Sequence, residues 1–364
     1  MTISLTWDAV LTWRSRQQWL HRPAEAADPV AVVERLAGVQ AQVMSAAEQA
    51  VAARRPEPGS GSGSGGEDVR AALRERRLVK TWAARGTLHL LEARQAPAHL
   101  ALIGAARTWE KGSWQKTFVP LAQLDKLAAA AHEALDGRVL TREELTTAIV
   151  EHAGDPGLAE HLASGWGAVL KPLAWQGVLV YGPTADDRRV TFTRPDTFVP
   201  GWTGLPDPAE AARVLIPAYL GAYGPASAAT FDQWLCRGAS RKAALRQWFA
   251  GLLADGVLAE VDVEGERLFA RAEDLEALAG AADFDAVRLL PAFDQFVLGP
   301  GTADARVVPP EHRAKVSRAA GWISPVVAYR GRVAGVWDGT EVTLFDERVP
   351  KDGIEAEQRR LQLI

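Results

Sequence analysis

The 364-residue sequence lacks several features on which whole classes of protein depend. Its one cysteine, Cys236, excludes an intrachain disulfide and a zinc site built from cysteines. No run of carboxylates resembles a metal clamp, and no serine or cysteine stands in a nucleophile elbow. No apolar run approaches the length of a membrane span, and the first residues do not form a signal-peptide pattern. The sequence therefore predicts a cytoplasmic protein with no metal, no cofactor and no membrane partner.

What is present is the composition of a soluble globular protein, with 48% hydrophobic and 24% charged residues. This length predicts about two to four folding units. The net charge of -4 excludes a generic polycation, so any nucleic-acid surface has to come from a local basic face. No pattern indicates a coiled coil or a large exposed apolar helix, and we expect a monomer.

One order of elements recurs, at a spacing of about 75 to 85 residues: helices followed by a β-hairpin. The predicted hairpins pair 78–82 with 87–91, 177–181 with 189–192, and 257–261 with 267–270. Winged helices have this order, because their helix-turn-helix unit precedes the hairpin. The sequence predicts an α+β fold of three tandem winged-helix units, at 1–120, 121–205 and 206–284. A small C-terminal β-rich, barrel-like region follows at 285–364.

Further local patterns refine these segments. We predict an opening helix over 5–20 with Arg14 and Arg16 exposed, and a long helix over about 158–176. Capping boxes at 45–48 and 141–144 predict two helix starts. Short apolar runs at 287–290, 296–298, 323–327, 333–337 and 342–345 predict strands, and the tail from Gly353 predicts a last helix.

The linker at 36–43 carries the most suggestive polar pair, Gln40 and Gln42. Asp28-Pro29 predicts the start of the preceding helix, Gly38 its end, and Ser45 the start of the next. In extended backbone, residues two apart share a face, so the two amides can converge on one water or sugar. From spacing alone, solvated linker glutamines are the more common outcome.

Four segments occur in a characteristic order: 36–42, the Arg-Gly-Thr-Leu-His run at 85–89, the Tyr-Gly-Pro-Ala segment from 223 to Trp234, and Leu-Leu-Pro-Ala-Phe-Asp at 289–294. Together they resemble the tandem winged-helix DNA glycosylases of the AlkZ/YcaQ type, along nearly the whole chain. The glutamine–apolar–glutamine pattern resembles the azinomycin-resistance branch of that family. The resemblance implies hydrolysis of N-glycosidic bonds in alkylated double-stranded DNA. It also implies unhooking of interstrand crosslinks and self-resistance to a DNA-alkylating natural product such as azinomycin B.

The chemistry of the glutamines suggests which lesions such an enzyme removes. An amide can hydrogen-bond a water and donate to developing charge, but it does not accept a proton as a carboxylate does. Relatives with aspartate at the second position have a potential general base, and here Gln42 stands there. We therefore predict that Gln40 and Gln42 are catalytic and act on cationic N7-alkylguanine, which leaves as a neutral base.

Winged helices neutralise DNA phosphates with basic residues on helices and wings. The candidates for this role are Arg54, Arg55, Arg85, Lys171, Arg241, Lys242 and Arg246. For any one of them alone, a merely solubilising role is the alternative. His89 and Asp294 are possible site-proximal residues. The alternatives are that His89 packs on the inner face of the first hairpin and that Asp294 forms a turn or helix cap.

Two other classes of function fit the repeat organisation. The first is a non-enzymatic winged-helix transcription regulator or DNA architectural protein, which has no need of two converging amides in a linker. The second is a scaffold that uses winged helices for protein contacts. Loss of DNA affinity with rising salt would separate this scaffold from both DNA-binding alternatives.

Overall fold

The computed structural model of the protein describes residues 3–21, 28–55, 65–162, 167–184, 189–281 and 285–363. Within these ranges the α-helices are α1 Trp7–Gln17, α2 Pro29–Arg35, α3 Met44–Ala52, α4 Gly65–Arg74, α5 Ala96–Ala105, α6 Gly112–Thr117, α7 Leu121–Ala134, α8 Arg142–Ala153, α9 Leu158–Leu162, α10 Leu170–Trp175, α11 Pro195–Phe198, α12 Pro208–Tyr223, α13 Ala228–Cys236, α14 Lys242–Ala254, α15 Leu275–Ala279, α16 Gln295–Leu298, α17 Arg313–Val316 and α18 Lys351–Arg360. None of the helices in this part of the chain combines the length and hydrophobicity that a membrane span requires.

The β-strands of the same ranges are short. They are β1 Ile3–Leu5, β2 Val39–Gln40, β3 Leu78–Trp82, β4 Leu88–Glu92, β5 Leu140–Thr141, β6 Val180–Tyr181, β7 Thr191–Thr193, β8 Leu258–Val263, β9 Glu266–Arg271, β10 Val287–Leu290, β11 Val326–Tyr329, β12 Arg332–Asp338 and β13 Glu341–Leu344. The fold is thus the predicted mixture of helices and small sheets.

The chain forms two compact units. The first contains the described residues within Met1–Val69, Ile216–Trp234 and Lys242–Ile364, and the second those within Arg70–Leu215 and Leu235–Arg241. The predicted division into four domains at residues 120, 205 and 284 stays a prediction.

Helices followed by an antiparallel hairpin recur three times along the chain, as predicted. The hairpins are β3–β4, β6–β7 and β8–β9. In the second block β5 also pairs with β7, and in the third Ala226 bridges to Phe269 on β9. The second hairpin strand therefore lies between two partners in both blocks. The assignment of each block as an individual winged helix stays a prediction.

Local capping explains where several helices begin. Asp28 precedes Pro29, and its carboxylate accepts the N–H of Val30 at 2.9 Å, which starts α2 as the sequence predicts. The predicted capping box at α8 is complete. The Glu144 N–H donates to the Thr141 hydroxyl at 3.3 Å, and the Thr141 N–H donates to the Glu144 carboxylate at 2.8 Å.

The capping box predicted at 45–48 is wrong. Helix α3 begins at Met44, and its N-cap, two residues before Ser45, is Val43, which makes no side-chain cap bond. Ser45 is exposed, whereas Glu48 is buried at 9% exposure and its carboxylate lies close to Gly66. Tertiary packing of Glu48 thus replaces the local bond that the motif predicts.

Two further predictions of local structure are wrong. The helix predicted over 158–176 is not continuous, because residues 167–169 are not helical and Gly167 has a φ of +63°. The sequence predicts an exposed Arg14, but the residue is buried, at 5% exposure. Its guanidinium donates to the carbonyls of Gly224 at 3.2 Å and Pro225 at 2.8 Å. Strand β1 was not predicted, since three residues are too few to show a period.

The C-terminal segment is β-rich, as predicted, and ends in α18. Strands β10, β11, β12 and β13 pair antiparallel in that order, so the described strands form an open meander rather than a closed barrel. The run at 296–298 belongs to α16 and not to a strand. Two apolar clusters cover this sheet, and one of them also contains Ala46 and Ala53 from α3 and the turn after it. The core of the first unit therefore reaches the helix that follows the glutamine linker.

Candidate active site

The glutamine linker connects α2 to α3. Helix α2 ends at Arg35, and the N–H of Gly38, which has a φ of +96°, donates to the Val33 carbonyl at 2.9 Å. This closes the C-terminal turn of α2 in a Schellman-type arrangement. Gln40 then lies in β2, and Gln42 lies in a bend before α3. Both glutamines occupy the connection between two helices, where the sequence predicts them.

Three of the four linker residues at 39–42 are buried. Val39 and Ala41 are 0% exposed, whereas Gln40 is 6% exposed and Gln42 is exposed. The two apolar side chains anchor the linker in the core. Gln42 is exposed to solvent, whereas Gln40 is buried between the two apolar residues.

The segment that begins at Tyr223 holds the start of this linker. The Tyr223 hydroxyl donates to the Leu36 carbonyl at 2.6 Å, and both residues are 0% exposed. Just before Tyr223, the carbonyl of Ala222 accepts a hydrogen bond from the Gln18 amide at 3.3 Å. Two of the four characteristic segments therefore meet through a backbone carbonyl of α2's C-terminal turn.

A buried ion pair fixes the C-terminal end of α3, the helix that follows the linker. The guanidinium of Arg54, which follows α3, binds both carboxylate oxygens of Asp294 at 2.7 and 2.8 Å. Asp294 also accepts the N–H of Phe296 at 2.8 Å as the N-cap of α16. Arg54 is 0% exposed and Asp294 1%. Asp294 therefore matches the helix-cap alternative, and a third characteristic segment, 289–294, serves to anchor α3.

Among the described residues, no group of three or more His, Cys, Asp or Glu side chains is placed to hold a metal ion. The chemistry available at the linker is that of two neutral amides. An amide donates through its N–H groups and accepts through its oxygen, so it can orient a water and stabilise a developing positive charge.

A family model described as DNA glycosylase AlkZ-like matches residues 33–344 of this chain. The chain belongs to this family of AlkZ-like DNA glycosylases. The interstrand DNA cross-link repair glycosylase of Streptomyces sahachiroi is 46% identical over 360 residues, 97% of this chain and 94% of the relative. The solved structure of Streptomyces sahachiroi DNA glycosylase AlkZ matches with a TM-score of 0.91 at 44% identity, over 99% of this chain and 97% of that one.

Membership in the AlkZ-like family confirms the resemblance on which the sequence analysis relied. The protein is an enzyme, a DNA glycosylase that hydrolyses N-glycosyl bonds, and its substrate is DNA. The regulator and scaffold alternatives are therefore set aside.

The structure contradicts one predicted phosphate-binding residue of this glycosylase. Arg54 is fully buried and its guanidinium is occupied by Asp294, so it cannot neutralise a phosphate. The sequence contained a signal for this. Ala47, Ala50 and Val51, which are buried in α3, precede Arg54 by seven, four and three residues, the spacing of one helix face.

The other basic candidates differ in exposure. Arg55 forms an ion pair with Asp68 at 2.7 Å. Arg85 lies in the turn between β3 and β4 with a φ of +59°. The side chain of Lys171 lies beside this turn, since a Cβ atom at Gly86 would be 4.0 Å from it. Burial, and then the positive charge of Arg237, lower the pKa of Lys171. The candidates at the start of α14 are exposed: Arg241, Lys242 and Arg246. The DNA-binding roles of these residues stay predictions.

His89 is buried in the first hairpin. The residue is 1% exposed, and its Nδ1–H donates to the Thr87 carbonyl at 3.0 Å. Burial, together with the positive charge of Arg85, lowers the pKa of His89 to about 3. Burial also lowers the pKa of His99 to about 3. His89 is thus a neutral packed side chain, which is the alternative that the sequence left open.

These two histidines make stability depend on pH in a known direction. In the unfolded chain a histidine takes up a proton near pH 6.5, whereas the folded protein keeps both rings neutral down to about pH 3. The unfolded state therefore binds more protons in this window, and stability falls as pH falls from 6.5 towards 3. Each histidine lowers the unfolding free energy by about 2 kcal/mol at pH 5 relative to pH 7.5.

We therefore expect His89→Asn, which keeps a donor for Thr87, to reduce the difference in unfolding free energy between pH 7.5 and pH 5. Urea denaturation at the two pH values measures this difference. His132→Asn is the matched control, because the side chain of His132 is 46% exposed. An equal pH dependence in the native protein and in His89→Asn would show that the His89 ring takes up a proton as readily in the folded protein as in the unfolded chain.

Proposed function

We propose that this glycosylase removes cationic N7-alkylguanine from double-stranded DNA and unhooks interstrand crosslinks formed through such bases. Its biological role is self-resistance to a DNA-alkylating natural product, of which azinomycin B is an example. The observation that carries the proposal is the linker itself, which contains exposed Gln42 and buried Gln40 and no carboxylate. The relative described as an interstrand DNA cross-link repair glycosylase supports the crosslink substrate.

The reaction is a hydrolysis in which the bond between the base nitrogen and C1′ of the sugar breaks and water supplies a new bond to C1′. The electron pair of the broken bond goes to the positively charged base, which leaves neutral. Gln40 and Gln42 orient the attacking water and stabilise the positive charge that develops on the sugar. The proton lost by water passes to solvent, because a neutral amide is a poor base. Such a site suits a good leaving group.

A crosslinked base restricts how the enzyme reaches its target. Enzymes that rotate a base into a pocket cannot do so when the base is covalently tied to the opposite strand. We therefore infer that the lesion stays within the duplex and that the linker approaches it from a groove. We further propose that the glycosylase acts as a monomer in the cytoplasm, associated with the nucleoid while bound to DNA.

The test compares base release from duplexes that each carry one lesion, scored as alkali-labile abasic sites. We expect release of N7-methylguanine at least about 100-fold faster than release of a neutral lesion such as hypoxanthine, a barrier difference of about 2.7 kcal/mol. Undamaged guanine should stay in place. A duplex joined by an N7-alkylguanine crosslink should separate into single strands on a denaturing gel. Equal rates on cationic and neutral lesions, or strands that remain joined, would refute the proposal.

A further inference from the structure

The position of Gln40 depends on the turn that ends α2. Leu36 is the C-cap of α2, and its carbonyl belongs to the last turn, where carbonyl groups have no partner within the helix. Ala37 and Gly38 then reverse the chain with φ values of +49° and +96° before β2 begins. A shift of the Leu36 peptide would therefore displace Gln40, four residues further along.

The Tyr223 hydroxyl fixes this peptide from outside the linker. Its bond to the Leu36 carbonyl, at 2.6 Å, joins residues 187 positions apart, and both are fully buried. The ring cannot readily move, since the rings of Tyr219 and Trp234 lie 5.2 and 6.5 Å away. Gly299 also lies so close that any side chain there would collide with the Tyr223 ring. The hydroxyl is thus held on the Leu36 carbonyl by a rigid aromatic cluster.

We infer that Tyr223 is a positioning residue for base excision: its hydroxyl holds the C-terminal turn of α2 so that the Gln40 amide meets the attacking water. The inference rests on the proposed function of the glutamines. Tyr223 acts through the backbone and touches neither water nor sugar, because it is 0% exposed. Displacing a catalytic group by a fraction of an ångström lowers the rate of the chemical step and leaves binding of the DNA intact.

Tyr219 offers a matched control. It lies one helical turn earlier on α12, is also 0% exposed, and donates its hydroxyl to a backbone carbonyl, that of Gly299, at 3.2 Å. Its ring packs on Trp234 at 4.8 Å. Tyr219→Phe therefore removes a buried hydroxyl–carbonyl bond from the same cluster, one that involves the Gly299 carbonyl and not the Leu36 carbonyl.

The experiment measures single-turnover release of N7-methylguanine, DNA affinity and melting temperature for the native chain, Tyr223→Phe, Tyr219→Phe and Gln40→Ala. We expect Tyr223→Phe to lower the maximal rate by about 10- to 100-fold. The DNA affinity of Tyr223→Phe should stay within about twofold of the native value, and the melting temperature of this variant should match that of Tyr219→Phe. Tyr219→Phe should keep the native rate. Because Tyr223 acts through Gln40, the double variant Tyr223→Phe/Gln40→Ala should be no slower than Gln40→Ala alone.

Three outcomes overturn the inference. Tyr223→Phe keeps the native rate, or it loses only DNA affinity, or the double variant is slower than Gln40→Ala by the same factor by which Tyr223→Phe alone is slowed. If any of these occurs while Gln40→Ala is slow, the proposed function survives and only the role of Tyr223 is refuted. If Gln40→Ala releases base at the native rate, the proposed role of the glutamines fails, and the inference fails with it.

Discussion

Gln42→Ala and Gln40→Ala are each expected to lower the single-turnover rate of N7-methylguanine release by about 100- to 1000-fold. This is the effect of removing one preorganised hydrogen-bonding group from a site that stabilises charge in the transition state. Gln42 is exposed, so its truncation opens no large cavity, whereas Gln40 is buried at 6% exposure, and the melting temperature of Gln40→Ala shows whether that variant keeps the fold. The measurement is the rate of abasic-site formation with enzyme in excess over DNA.

Gln49→Ala is the control, because Gln49 is an exposed glutamine on α3 that lies outside the linker. It should release base at the native rate. Gln42→Asp tests the role more finely, since a carboxylate can hold the water and also accept its proton. We expect Gln42→Asp to retain more activity than Gln42→Ala. Native rates in both alanine variants would leave the two glutamines as ordinary linker residues.

Breaking the ion pair between Arg54 and Asp294 is expected to cost about 3 to 5 kcal/mol of unfolding free energy. Arg54→Met leaves the Asp294 carboxylate buried without its partner, and both side chains are 0% exposed. The loss should appear in urea denaturation as a lower midpoint. It should be far larger than the effect of Arg348→Met, which removes a pair with Asp346 in which Arg348 is 81% exposed.

The double variant Arg54→Met/Asp294→Asn removes both buried charges, and the introduced asparagine would keep a side-chain oxygen to cap α16. We expect it to recover much of the stability that Arg54→Met loses, because a buried pair replaced as a whole costs little. Additive losses from the two substitutions would contradict this account of the pair as one coupled unit.

Local sequence determined much of this protein. The three helix-and-hairpin blocks, the capping box at Thr141 and the place of Gln40 and Gln42 between two helices all follow from short-range patterns. Asp28, Pro29 and Gly38 determine where α2 starts and ends through their own backbone preferences. The order of the four characteristic segments also sufficed to indicate the glycosylase family.

Only the tertiary structure decided which polar side chains face solvent. Arg54 and Arg55 are neighbours in sequence, yet one is buried against Asp294, 240 residues away, and the other reaches the surface. His89 and Tyr223 likewise take their roles from distant packing. Burial, charge pairing and long-range hydrogen bonds depend on which segments meet in the fold, and no local window of sequence contains that information.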